Sequence, residues 1–225
     1  MKWYALASAV LTWPLISFGA LVRLHGAGLS CPDWPLCYGQ LIPPPGFEIA
    51  MEVGHRFFAS LLGLLILIMT ILSFRKEALR PFRRLSASCL ILIIVQGILG
   101  ALTVTMVLWP PVVTFLLIGG NLLFAVLVYL SWITWNPQSQ KPKKEDSTSS
   151  IQIPLTAKKT VWMLAILFII AASGGYNSST YSGYACEAFP GCHEGASLSF
   201  GLSGMELGAT KLPEAPEELQ GRFLP

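Results

Sequence analysis

A short stretch of the sequence, Glu52-Val53-Gly54-His55-Arg56, brings together a carboxyl, an imidazole and a guanidinium group. Glu52 and His55 are three residues apart, so they share one face of a helix. A neutral imidazole is a natural iron ligand, and histidines commonly hold haem within helical bundles. Arg56 could pair with a haem propionate, and a partly desolvated Glu52 could shuttle protons. The alternative is a helix-end cap, in which Glu52 favours the positive end of the helix dipole and His55 and Arg56 extend toward water.

The elements that must position this stretch are membrane-spanning helices. Hydrophobic residues make up 53% of the 225-residue sequence and charged residues 12%, a balance that is not typical of a soluble domain. Apolar runs of about 20 residues are typical of membrane spans. We therefore expect an all-α integral membrane protein, in which the candidate stretch opens the second span. The predicted spans lie near residues 3–24, 52–74, 87–108, 112–134 and 160–176.

The distribution of basic residues predicts the orientation of these spans. Lysines and arginines concentrate before the first span, between the second and third, and after the fourth. The positive-inside rule then places the N-terminus in the cytoplasm, and five crossings place the C-terminus outside. The net charge of +3 reflects this topology, so we expect no nucleic-acid partner. The first span is longer than the apolar part of a usual signal peptide, and no transit peptide precedes it, which favours a retained span in a bacterial inner (plasma) membrane.

A polar segment divides the sequence into two unequal parts. We expect residues 1–135 to form a four-helix transmembrane repeat with an outer cysteine loop. Residues 136–159 are rich in lysine, serine and proline and predict a flexible cytoplasmic linker. Residues 160–225 then contain one span, a second outer cysteine loop and a tail. Because the two loops are alike and each follows a span, they indicate a duplicated unit with an incomplete second copy.

The predicted outer loops carry two cysteine pairs with the same spacing. Cys31 and Cys37 follow the first span, and Cys186 and Cys192 follow the fifth. Disulfides persist outside the cytoplasm, so each pair could brace its loop. The alternative is a redox-active pair that passes electrons, although neither pair has the C-x-x-C spacing typical of that role. Cys89 lies inside the third span, and we expect it to be a small buried thiol.

Three further residues near the predicted outer side have two interpretations each. His25 lies at the outer end of the first span and His193 follows the last cysteine, so each is either a loop residue or a metal ligand. Arg23 could bind a lipid headgroup or, like Arg56, a haem propionate.

Five runs of the sequence carry a resemblance to a known family. They are Val22–Cys37, the Glu52-x-x-His55-Arg56 motif, Gln96–Val104, Trp109–Thr114 and Gly174–Cys192. In combination they resemble the haem A synthase family over nearly the whole chain. The resemblance implies an eight-span bundle of two four-helix repeats, each of which holds a haem between two histidines near the outer face. It also implies oxidation of the methyl group of haem O to the formyl group of haem A, for cytochrome c oxidase assembly.

The resemblance carries over cofactors, partners and residue roles. The expected cofactors are haem O, as the substrate, and haem b. The expected surroundings are the lipid bilayer, with haem O synthase or cytochrome oxidase assembly factors as partners. A second copy of the chain could be a further partner, although the resemblance does not imply it. The residues that match family positions are Glu52 as the catalytic glutamate, His55 as a haem iron ligand, and Cys31–Cys37 and Cys186–Cys192 as disulfides.

Two departures from the family pattern bear on activity. The family's fourth span has a histidine two residues after the Val113-Thr114 pair, but this sequence has Leu116 there, which cannot bind iron. The sequence also ends where the family would enter its sixth span. We therefore expect haem A synthase-type oxidation, with a truncated, non-catalytic haem-binding relic of the family as the alternative. A quinone-linked membrane thiol oxidase is a further alternative, against which the cysteine spacing counts.

Overall fold

Five α-helices make up most of the part of the chain that the structure describes. The structure is a computed structural model that describes residues 1–136 and 155–180. Short 3₁₀ helices follow α1 and α2, at Ala27–Leu29 and Glu77–Phe82. Since the described residues contain no β-strand, the predicted all-α class is confirmed. The helices are α1 (Lys2–Leu24), α2 (Phe47–Arg75), α3 (Arg83–Thr105), α4 (Pro110–Trp135) and α5 (Leu155–Ser179).

Four helical segments are long and apolar enough to cross a membrane: Lys2–Leu24, Phe47–Arg75, Glu77–Thr105 and Pro110–Trp135. Their outer surfaces expose large apolar side chains, which can contact lipid. Helices are suited to this environment because they satisfy their own backbone hydrogen bonds. The chain is therefore a multi-pass membrane protein. The fifth predicted span falls within α5, and its passage through the membrane stays a prediction, as does the predicted division of the chain around 136–159.

The first four helices form a bundle in which α1 and α3 each contact both α2 and α4. The pairs α1 and α3, and α2 and α4, are therefore diagonal to one another. Helix α5 packs along α4. One end of the bundle carries the loop of residues 25–46, and we name it the loop end. The opposite end carries Lys2 and the arginine-rich turn around Glu77–Phe82, and we name it the basic end.

The half of the bundle nearest the basic end is closely packed. Ala5 and Ala9 on α1 are buried, and such small side chains let helix backbones approach each other closely. The hydroxyl groups of Ser73 and Ser86 hydrogen-bond across α2 and α3 at 2.7 Å. Cys89 is a free, fully buried thiol, as predicted. The large buried side chains of this half are Leu62, Ile66, Met69, Leu123, Leu127 and Leu130.

Nearer the loop end, all four helices share a band in which no residue is fully buried. We name it the loose band. A layer of buried residues, Val22, Glu52 and Val112, closes it toward the loop end. A closely packed apolar core buries its side chains, so the four helices pack less closely in the loose band than near the basic end. The loose band lies between the following residues on each helix: Thr12 and Val22 on α1, Glu52 and Leu62 on α2, Cys89 and Thr105 on α3, and Val112 and Leu123 on α4.

The start of α2 differs from the prediction. The helix begins at Phe47, five residues before the predicted start of the span. The proline run ends at Gly46, whose extended backbone (φ −173°, ψ 141°) precedes the first helical residue. Glu48 then lies in the first turn, where a carboxylate is favourable next to the positive end of the helix dipole. The apolar run predicts the part of α2 that crosses the membrane. The helix itself extends beyond that run, because it needs only its backbone hydrogen bonds.

Candidate functional site

His55 lies in the third turn of α2 and faces the neighbouring helix α1. It shares a helical stripe with the buried residues Leu62, Ile66 and Met69, which follow it at helical spacing. The imidazole packs against Gly19 so closely that a Cβ atom there would lie 3.1 Å from the Cε1 atom of His55. The ring centroid of Phe18 is 5.9 Å away. The ring therefore sits in the α1–α2 interface, where glycine at position 19 provides its space.

The Nδ1 atom of His55 is buried and has no hydrogen-bond partner among the described residues. Buried polar atoms in folded proteins are almost always paired with protein or water. An unpaired ring nitrogen inside an apolar bundle is therefore an observation that points to a ligand or a bound water at this position.

A contact between α3 and α4 fixes the register of the bundle near His55. The side-chain amide of Gln96 on α3 lies against Gly119 on α4, and Ile16 on α1 lies against the adjacent Gly120. These residues therefore lie at the same depth, on the three helices α1, α3 and α4. We name them the Gln96 layer.

One helical turn closer to the loop end, about 5 Å along each axis, lies a second layer around His55. It contains Gly19 on α1, Gly100 on α3 and Leu116 on α4, which are three or four residues beyond the Gln96 layer. A Cβ atom added to Gly100 would meet nothing within 4 Å, and Leu116 is half-buried. We name this the His55 layer, and it lies within the loose band.

Glu52 lies one turn nearer the loop end than His55, on the same face of α2. Its carboxylate accepts a hydrogen bond from the backbone N–H of Cys31 at 2.9 Å and pairs with the guanidinium of Arg56 at 2.5 Å. The side chain of Glu52 is only 7% exposed and that of Arg56 16%. The pair is therefore held at the edge of the bundle, with limited access to water.

Arg56 also reaches the loop that precedes α2. It donates hydrogen bonds to the backbone carbonyls of Asp33 (2.8 Å) and Leu36 (2.6 Å). The carboxylate of Asp33 in turn accepts hydrogen bonds from the backbone N–H groups of Tyr38 and Gly39. We name the contacts of Glu52 and Arg56 with this loop the loop clasp.

The loop clasp surrounds a disulfide bond. Cys31 and Cys37 are joined and are 0% and 2% exposed, so the predicted first disulfide is confirmed and braces the loop. Cys186, Cys192 and His193 lie outside the described residues, and their roles stay predictions.

Arg23 and His25 lie beyond the His55 layer, at the end of α1. The guanidinium of Arg23 donates hydrogen bonds to the side chain and the backbone carbonyl of Ser178 on α5. The Nδ1 atom of His25 is 2.9 Å from the carbonyl oxygen of Leu21, and its ring packs edge-on against Phe47. Gly19 marks the depth of His55 on α1, so His25 is about 9 Å further along the helix axis. The predicted role of Arg23 at a propionate stays a prediction.

Sequence reasoning missed part of this site. It assigned no role to Gly19, Gly119 or Asp33, and it named Gln96 only as part of a family motif. An amide within an apolar span is a signal by itself, because a polar group at membrane depth is costly without a partner. No comparable signal marks the loop clasp, because its partners are backbone groups.

Comparisons with known proteins agree with this architecture. A protein named "Heme A synthase" from Shewanella oneidensis is 33% identical over a 213-residue alignment that covers 85% of this chain and 61% of the relative. A protein of the same name from Shouchella clausii is 30% identical over a 182-residue alignment that covers 78% of this chain and 58% of the relative. The chain therefore spans about three fifths of the length of these relatives. The cytochrome oxidase assembly protein family matches residues 2–50 and 46–220, which is most of the sequence, and the chain belongs to this family.

Proposed function

We propose that the chain binds haem in the loose band of its bundle and takes part in haem A synthase-type oxidation, in which the methyl group of haem O becomes the formyl group of haem A. The observation that carries the proposal is the buried, unpaired Nδ1 atom of His55, in a layer with open space beside Gly100. The names of the relatives support the same activity.

The residues of the His55 layer fit a haem. The iron needs an imidazole, which His55 provides, and the porphyrin needs apolar surroundings, to which Gly100 and Leu116 contribute. Leu116 lies on the diagonally opposite helix and has no metal-binding atom, so the described bundle supplies one axial ligand from this layer. His25, His193 or a second copy of the chain could supply another. A bound haem b would contribute iron redox chemistry, and haem O is the proposed substrate.

The chain's own side chains would position the haem and exclude water. The loop clasp holds the disulfide loop across the end of α2, next to the loose band. A carboxylate has about four acceptor positions, and Cys31 and Arg56 use two of those on Glu52. Glu52 can therefore accept a proton at the edge of the site while it holds the loop, which is the catalytic role we propose for it.

We further propose that the loop end faces the outside of a bacterial inner membrane and that the N-terminus is cytoplasmic. The basic residues at the opposite end support this orientation by the positive-inside rule, and the disulfide at the loop end agrees with an oxidising compartment. Haem O synthase, cytochrome oxidase assembly factors and a second copy of the chain remain the proposed partners.

A non-catalytic haem-binding role is the second candidate, and Leu116 is the observation that favours it. With one axial ligand from the His55 layer, the chain could hold haem without the second histidine of the family pattern. The thiol oxidase alternative has less support, because the loop clasp encloses a disulfide whose two cysteines are almost fully buried.

Haem content of the purified chain tests the binding proposal. We expect the protein from a haem-producing host to contain substoichiometric haem, measured as the pyridine haemochrome per mole of protein. His55→Ala should remove it. Ser60→Ala is the matched control, because Ser60 is exposed on the same helix and its hydroxyl group donates a hydrogen bond to the backbone carbonyl of Arg56, so its removal should not change haem content. An unchanged absorption spectrum in His55→Ala would show that His55 is not an iron ligand.

Formation of haem A tests the catalytic proposal separately. Membranes that contain haem O synthase and this chain should convert haem O to haem A, which chromatography with mass detection measures. Glu52→Gln should stop this conversion and leave bound haem in place. Haem binding without any conversion by the unaltered chain would favour the second candidate.

A further inference from the structure

Gln96 places a polar amide deep in the bundle, between α3 and α4. Its Nε2 atom is buried and has no hydrogen-bond partner in the described parts of the chain. The amide occupies the space beside Gly119 so fully that a Cβ atom at position 119 would lie 2.0 Å from Nε2. The backbone of α4 therefore accommodates the Gln96 amide only because residue 119 is glycine.

An unpaired amide in this position is energetically unfavourable. Removing an amide from water without a compensating hydrogen bond costs free energy, and the Gln96 amide lies against the two glycines Gly119 and Gly120, which have no polar side chain to offer. A hydrogen-bond partner from outside the chain would remove this cost. The structure thus points to a ligand atom near the Gln96 layer.

The depth of Gln96 relates it to the proposed haem. The Gln96 layer lies one helical turn, about 5 Å, further from the loop end than the His55 layer. That separation is close to the distance from a haem iron to the edge of its macrocycle. The haem carboxylates are charged and unfavourable at membrane depth, so they must face the loop end. The opposite edge of the macrocycle would then lie toward the Gln96 layer.

We propose, resting on the proposed function, that Gln96 recognises an alcohol at this opposite edge of the haem. Haem O carries a hydroxyalkyl group there, whereas protohaem carries a vinyl group. The Gln96 amide would hydrogen-bond the hydroxyl group, and Gly119 would provide the space for the amide. Gln96 is thus a specificity-determining residue that distinguishes hydroxyalkyl haems from vinyl haems.

Two tail-free haems isolate this contact. Iron haematoporphyrin has hydroxyethyl groups where iron protoporphyrin has vinyl groups, and the two are otherwise alike. Each is titrated into the full chain in detergent, and the Soret absorbance gives its dissociation constant. The ratio of the two constants measures the preference for the alcohol.

We expect Gln96→Leu to lower the preference for iron haematoporphyrin about tenfold, the effect of one lost hydrogen bond, with the affinity for iron protoporphyrin retained. Gly119→Ala should act in the same direction, because the added methyl displaces the amide. Gly97→Ala is the matched control: Gly97 is exposed on α3 and an added Cβ atom meets nothing within 4 Å, so the preference should not change.

The outcomes separate this inference from the proposed function. If Gln96→Leu keeps the preference, or weakens both haems equally, while His55→Ala abolishes binding, the role of Gln96 is overturned and the haem site stands. If the unaltered chain binds neither haem, the proposed function fails, and the inference fails with it. Gln96→Met, which retains the side-chain length, repeats the measurement if the leucine variant does not fold.

Discussion

Removal of the Arg56 side chain from the loop clasp should release the disulfide loop from the bundle. In Arg56→Gln, the buried carboxylate of Glu52 loses its ion pair, and the carbonyls of Asp33 and Leu36 lose their charged donor. The hydrogen bond from Cys31 to Glu52 would remain. The loop should therefore undock locally while the four helices stay folded.

The size of this effect follows from burial of the pair. Breaking a buried ion pair by removal of one partner costs about 3–5 kcal/mol. Since Arg56 is still 16% exposed, we take the lower end, about 3 kcal/mol. Each 1.4 kcal/mol is a factor of about ten in an equilibrium constant, so the population with an open loop should rise roughly a hundredfold.

Reduction of the Cys31–Cys37 disulfide measures this opening. Both cysteines are nearly inaccessible in the closed loop, so a water-soluble phosphine can reach the bond only when the loop opens. Alkylation at timed intervals, followed by mass spectrometry of the loop peptide, gives the reduction rate. Arg80→Gln is the matched control, because Arg80 forms an ion pair with Glu77 in which both side chains are at least 75% exposed. Such an exposed pair contributes at most about 1 kcal/mol.

A rate for Arg56→Gln within about threefold of the unaltered chain would refute the reasoning, because threefold corresponds to well under 1 kcal/mol. It would show that the loop stays docked without the ion pair. The double variant Glu52→Gln/Arg56→Gln provides a second check. Because it leaves no unpaired buried charge, its loop should open less often than that of Arg56→Gln alone.

Other substitutions test the packing around the same site. Leu116→His adds an imidazole to the His55 layer and should raise haem content and give a low-spin absorption spectrum; no gain would show that residue 116 does not face the haem. Gly19→Ala places a methyl 3.1 Å from the His55 ring and should weaken haem binding several-fold, whereas Gly63→Ala, with no contact closer than 3.9 Å, should not. Ser86→Ala removes an interhelical hydroxyl pair and should cost about 1 kcal/mol in detergent unfolding; a much larger loss would indicate a role beyond this pair.

The helical spans were predictable because they depend on local sequence. Long apolar runs identified the four bundle helices. The basic residues identified the segments that lie at one end of the bundle. Helix α2 begins five residues before the predicted span, since Phe47 and Glu48 continue the backbone hydrogen bonds outside the apolar run. Cys89 was correctly expected to be a buried thiol, because its span and its size are both local properties.

The site was predictable only as a set of candidate residues. Local spacing placed Glu52 and His55 on one face of a helix, but it left ligand and cap as alternatives. The tertiary structure decided that the His55 ring packs against Gly19 and that Glu52 and Arg56 hold a loop some twenty residues earlier in the chain. The tertiary structure likewise decided that the Gln96 amide packs against Gly119 of α4.

The sequence by itself determined that this chain forms apolar helices, with a pair of cysteines in the loop after the first span and one ionisable stretch at the start of the second span. The tertiary structure alone decided which of these residues meet and where the bundle is loosely packed. The physical reason is that the length and the hydrophobicity of a span depend only on residues that are adjacent in sequence. The contacts of Gly19 with His55 and of Gln96 with Gly119 depend instead on the rotation and relative depth of helices that are distant in sequence.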